Sequence, residues 1–141
     1  MVPQSMPQRW APKQVARVLV VEDDPDMRAL MVVALRLDGY EVSEASDGAE
    51  ALRLLGTVGE SENESGPPDL IVSDVRMPGL TGMQMLEQLH GEEVPIPVIL
   101  VTAFGDWETH AHAEQLGASV LDKPFSLDDL RKRVFEALEL R

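Results

Sequence analysis

Short apolar runs that end abruptly in acid constrain this chain more than any other feature. Val18-Leu19-Val20-Val21 stops at Glu22-Asp23-Asp24, and the run 69–73 stops at Asp74. Each run has the length of a strand, and 18–21, 70–73 and 98–101 are essentially apolar, which suits central strands covered on both sides. Segments of helical spacing lie between them. Asp24 followed by Pro25 suits a helix start, because Asp caps the first amides and Pro favours the first helical position. That helix carries Met27, Leu30, Met31, Ala34 and Leu37 as its expected apolar face and stops at Gly39. Tyr40–Ala45 reads as a second strand, and Asp47 with Glu50 resembles a capping box opening a helix to about Val58. The pattern continues as helix 82–90, strand 96–101, helix 106–116, strand 118–121 and helix 126–140, the last lining up Leu127, Leu130, Val134 and Leu138. Five strands alternating with five helices predict an α/β fold: a parallel sheet with helices on both faces. The units share no fixed period, which excludes a solenoid.

A chain of 141 residues, 44% apolar and 26% charged, fits one globular domain. Residues 1–16 read as a loose arm with Pro3, Pro7 and Pro12, leaving 17–141 as the domain; 59–68 reads as an acidic loop. No apolar stretch approaches the roughly 18 residues of a membrane span, and the N-terminus lacks the apolar middle of a secretory signal. With no cysteine, disulfides and thiolate metal sites drop out, and a cytoplasmic location is expected. The net charge of −13 argues against direct nucleic-acid binding; Arg131, Lys132 and Arg133 cluster, but in a terminal helix where a solvated face accounts for them.

In an open α/β sheet, ligands bind beyond the C-terminal ends of the strands. Those ends carry Glu22 and Asp23, then Asp74, then Thr102, with Lys123 following the fifth strand. Crowded carboxylates repel and raise one another's pKa unless a cation joins them. A hard divalent ion such as Mg²⁺ meets that need with few protein ligands and several waters. A phosphoryl group is then a fitting guest: metal and ammonium hold its oxygens, a hydroxyl donates to one more, and a carboxylate attacks phosphorus.

Four stretches, VLVVEDDPDMR, IVSDVRMPGLTG, VILVTAFGD and LDKPFSLDDL, occur in order at matching spacings. Through them the chain resembles the receiver domain of two-component response regulators over about residues 16–141. The resemblance implies a flavodoxin-like, doubly wound five-stranded sheet in the order 2-1-3-4-5. It implies Asp74 as phosphoacceptor, with Thr102 and Lys123 as its catalytic partners. Glu22, Asp23, Asp74 and the backbone carbonyl of Arg76 would hold Mg²⁺, Asp23 directly and Glu22 through water. The Lys123–Pro124 bond would be cis. A histidine kinase, a phosphotransfer protein or an acyl phosphate would supply the phosphoryl group. A downstream effector would dock on the face formed by helix 4, strand 5 and helix 5. Such a chain is a switch and not an enzyme, apart from catalysing its own phosphorylation and dephosphorylation. Arg76 and Phe104 would flank the path of hydrolytic water. One departure stands out: Val120 occupies the position three before the site lysine where receivers usually carry Tyr or Phe.

Asp24 reads as a helix cap and not a ligand; Met77, Met83 and Met85 read as packing residues. His110 and His112 lie two apart in a helix and, with His90, read as surface residues, while Trp107 is a partly exposed probe. An aspartate-nucleophile phosphatase of the haloacid dehalogenase type needs Asp-x-Asp followed by a hydroxyl residue. Asp24-Pro25-Asp26-Met27 lacks the hydroxyl, and Pro25 puts the pair inside a helix. A phosphorylation-independent scaffold receiver would have no use for the acid cluster. The DVRMPG and TAFGD stretches look like receivers of regulators with ATPase outputs and of hybrid kinases, so excision from a longer protein stands beside a stand-alone receiver, which Met1 and the arm favour.

Overall fold

The computed structural model describes residues 15–56, 67–93, 95–103 and 107–139. The chain runs β1 (Arg17–Val21), α1 (Pro25–Leu37), β2 (Glu41–Ala45), α2 (Gly48–Leu55), β3 (Leu70–Asp74), α3 (Gly82–Gly91), β4 (Val98–Ala103), α4 (Trp107–Gln115), β5 (Ser119–Lys123) and α5 (Leu127–Glu139). All strands pair in parallel in the order β2-β1-β3-β4-β5, so the winding reverses between β1 and β3. The α/β architecture and the strand order agree with the expectation.

Alternation along the strands sends side chains to two separate cores. Leu19, Val21, Ile71 and Leu100 point to one face, packed by Ala51 and Leu52 of α2, Met85, Leu86 and Leu89 of α3, and Ala113 of α4. Val18, Val20, Leu70, Val72, Ile99 and Val101 point to the other, packed by Met31, Val32 and Leu35 of α1 and Leu130 and Val134 of α5. Each fully buried aliphatic side chain contributes about 1.5–3 kcal/mol against exposure. Met77 and Met85 are buried and Met83 packs against the first core, as the packing reading expected.

Helix starts follow their caps. Asp24 Oδ1 accepts from the amides of Asp26 and Met27, at 2.9 and 3.3 Å, so it is a cap. Asp47 accepts from Glu50 N–H at 2.8 Å, while the Glu50 carboxylate accepts from the backbone and hydroxyl of Ser46. Thr81 and Gln84 form a full capping box at α3, and Ser126 and Asp129 exchange the equivalent bonds at α5.

Four boundaries or faces differ from expectation. On α1, Leu30 and Leu37 are exposed, and Val32 and Leu35 are buried in their place. This helix is apolar nearly all round, so periodicity could not choose its inward face. The left-handed Gly56 (φ 69°) ends α2 at Leu55, short of Val58, which lies outside the described residues. β4 starts at Val98 because Pro97 has no amide to donate, and it runs on to Ala103. β5 continues through Lys123, since Thr102 pairs with Asp122 and Ala103 with Lys123. Lys123 therefore sits inside the sheet and not after it. Among the described residues, no helix is long and apolar enough to cross a membrane.

Candidate functional site

At the rim where β1, β3, β4 and β5 end, the sequence-predicted residues converge. Glu22, Asp74 and Thr102 are buried, Asp23 is exposed, and Lys123 is half-buried. One carboxylate oxygen each from Glu22, Asp23 and Asp74 lies within 4.8 Å of the others. Lys123 Nζ donates to Asp74 Oδ2 at 2.8 Å and stands 4.0 Å from Glu22 Oε1. Asp74 Oδ1 accepts from the Arg76 amide at 3.2 Å, so both acceptor oxygens are held. The side chain of Arg76 is exposed. Thr102 stands one residue beyond Val101, the register partner of Asp74, and opposite Asp122, the neighbour of Lys123. The Lys123–Pro124 peptide is cis. Phe104 lies outside the described residues.

Backbone geometry explains why Asp74 is so rigidly placed. Val75 N–H donates to Val101 O at 2.9 Å, extending the β3–β4 pairing past Asp74. Gly82 N–H returns to Val75 O at 3.0 Å, which closes the loop between β3 and α3. That closure brings α3 so near that a Cβ at Gly82 would lie 2.2 Å from Asp74 O and 3.0 Å from Ser73 Oγ. Gly48 plays the same part for Leu80, whose carbonyl oxygen would lie 2.6 Å from a Cβ there. Periodicity and turn pattern explain neither glycine, because the need for each comes from the approach of a second element.

The carboxylates of the cluster repel one another. Burial, a hydrogen bond with Asp74 and the charges of Asp74 and Asp23 push the Glu22 carboxyl up from 4.5 to about 8, although Lys123 opposes this. Desolvation pulls the Lys123 ammonium down, but its hydrogen bond to Asp74 and the Asp74 and Glu22 charges more than reverse that. Glu22 Oε2 is enclosed without a hydrogen-bond partner among the described residues. An all-oxygen donor set with an orphaned buried oxygen fits a small hard cation such as Mg²⁺. An open depression of about 400 Å³, lined by Arg76, Met77, Pro78 and Thr81, adjoins Asp74 along the chain.

Several contacts were not visible in the sequence. Arg28 on α1 donates to Glu22 O at 2.8 Å and to Glu44 Oε1 at 3.1 Å. His110 is no bare surface residue: its Nε2 lies 2.6 Å from Asp122 Oδ1, joining α4 to β5, while His112 lies 3.5 Å from Glu87 of α3. The basic cluster on α5 is also engaged. Arg131 forks onto Asp38 at 2.7 and 2.8 Å, and Arg133 donates to Val120 O at 2.8 Å. Trp107 is 72% exposed at the head of α4.

Comparison with known proteins agrees with this arrangement. Residues 18–135 match the family described as the response regulator receiver domain. The regulatory protein AtoC of Escherichia coli K12 is 34% identical over 128 residues, covering 90% of this chain and 26% of that protein. The transcriptional regulatory protein PrrA of Mycobacterium tuberculosis is 40% identical over 126 residues, 89% of this chain and 51% of PrrA. The chain thus spans between about a quarter and about half the length of these relatives. Among solved structures, a receiver domain protein from Clostridium thermocellum superposes with a TM-score of 0.77 at 28% identity, covering 89% of this chain and 95% of that one. NtrX from Brucella abortus gives 0.77 at 29%, covering 90% and 27%.

Proposed function

The chain belongs to the response regulator receiver domain family, and from that premise we propose that Asp74 is its phosphoacceptor in a Mg²⁺-dependent switch. The observation that carries this reading is the pairing of Asp74 with Lys123 at 2.8 Å inside a cluster of three carboxylates. Glu22, Asp23, Asp74 and the backbone carbonyl of Arg76 are the groups that would hold the ion. When bound, Mg²⁺ neutralises the acid cluster and the charge that develops on the transferring phosphoryl oxygens.

The rest is the work of the chain's own residues. The Asp74 carboxylate attacks phosphorus in line; the bond from phosphorus to the donor's nitrogen or oxygen breaks, and the leaving group keeps the electron pair. Lys123 leaves its bond to Asp74 and takes a phosphoryl oxygen, and Thr102 donates its hydroxyl to another. The donor is the phosphohistidine of a kinase or phosphotransfer protein, or an acyl phosphate. Residues 17–141 form the switching domain. The face of α4, β5 and α5 presents the result to an effector, within a longer chain or on a separate partner.

With Mg²⁺ and acetyl phosphate the protein should gain one acid-stable, base-labile phosphoryl group, read by mass. Asp74→Asn should abolish it, because an amide is no nucleophile. Equal labelling of that variant removes Asp74 from the role.

A further inference from the structure

We propose that Arg28 is a positioning residue for the acid pair, setting Mg²⁺ affinity through the backbone without touching the ion or its ligating oxygens; this rests on the Mg²⁺-dependent reading above. Glu22 N–H donates to Ala45 O at 3.1 Å, the last backbone bond that ties β1 to β2. Beyond it the chain leaves the sheet, and the peptide between Glu22 and Asp23 is the hinge on which the two carboxylates turn. The oxygen of that peptide is Glu22 O, which accepts from Arg28 Nη1 at 2.8 Å.

Rotation of a peptide plane re-aims the residues on its two sides together, so fixing this one oxygen fixes the backbone from which both carboxylates project. The guanidinium is itself immobilised, since its Nε donates to Glu44 Oε1 at 3.1 Å and its side chain is only 20% exposed. A planar fork serving two acceptors on different elements loses little further freedom on holding them. Arg28 thereby joins α1, β2 and the loop that carries the acid pair.

The same helix supplies a matched control. Arg36, in the last turn of α1, donates from Nη2 to Val42 O of β2 at 3.0 Å. Like Arg28 it ties α1 to β2, here through a backbone carbonyl, but away from the acid pair. A general loosening of α1 on β2 should follow from losing either arginine; a change in Mg²⁺ binding should follow only from losing Arg28.

Calorimetric Mg²⁺ titration of the full chain, with hydrogen exchange at residues 22–24 and melting temperatures, separates the two. Arg28→Ala should weaken Mg²⁺ binding roughly tenfold, the lower end of what loss of an outer-shell contact does to metal affinity. Its acetyl phosphate labelling should slow at limiting Mg²⁺ and recover at saturating Mg²⁺. Arg36→Ala should keep wild-type Mg²⁺ affinity at whatever melting temperature it shows. Arg28→Lys, whose ammonium cannot bridge both acceptors, should fall between. It also stands in for the alanine variant should that one not fold, and wild-type affinity in it then overturns the inference. Equal affinities in Arg28→Ala and wild type, or an equal loss in Arg36→Ala, overturn it as well. A wild-type chain that takes up no Mg²⁺ fails the functional reading first, and this inference with it.

Discussion

Glu22 shows how much of the site lies in one titration. The folded chain keeps a proton on this carboxyl between its ordinary 4.5 and about 8, where the unfolded chain has released it. A raised folded value means that the group's contribution to stability is full below about 4.5 and is lost as pH rises through about 8. Metal-free melting temperatures should therefore decline across that window, and Glu22→Gln, which cannot ionise, should flatten the decline. Mg²⁺ must displace the same proton, so its affinity should strengthen as pH rises toward about 8. Gly82 makes a second, steric case. A first-turn alanine is ordinarily the better helix former by up to about 1 kcal/mol. Here its Cβ would press on the Asp74 carbonyl, so Gly82→Ala should cost about 1–3 kcal/mol in denaturant melts and slow phosphorylation. A gain in stability would show that α3 can retreat. The acidic, hydroxyl and amine residues of the rim were legible in the sequence because strand ends concentrate chemistry. Gly82 and Arg28 end two of the family-like stretches, but their roles were not legible, since each role is defined by what another element brings against it.

Elements were legible in kind more than in orientation. Alternation and caps located all ten, but the inward side of α1 stayed ambiguous because apolar residues surround it. The extent of β5 was set by pairing with β4, which local pattern does not encode. α4 is the most weakly attached helix: Ala113 is its one buried residue among those described. Its hold on the domain leans on the His110–Asp122 contact to β5 and the longer His112–Glu87 contact to α3. A half-exposed bond of this kind contributes about 1 kcal/mol. His110→Ala should then raise amide exchange across Trp107–Gln115 about fivefold, leaving α1 unchanged. Unchanged exchange in α4 would show that backbone and Ala113 packing suffice. Asp122 is next to Lys123 in the chain and opposite Thr102 across the ladder, so the His110 attachment of α4 meets the acidic rim there.

At the scale of the whole molecule, order 2-1-3-4-5 with right-handed crossovers decides which helices share a side. The apolar runs announced a parallel sheet; the switch between β1 and β3 came from the family resemblance, since no strand names its neighbour. The outcome is that α1 with α5, and α2 with α3 and α4, bury into cores that meet only through the strands. Substitutions on opposite sides fall in different clusters, so their free energies should sum. Val32→Ala beneath α1 and Leu86→Ala beneath α3 should combine within about 0.5 kcal/mol of additivity. Leu52→Ala with Leu86→Ala, drawn from one core, should depart from it. If this holds, the two sides are separately editable: selection can rewrite the contacts of one without re-solving the packing of the other, and a single sheet can keep two independent histories of partners.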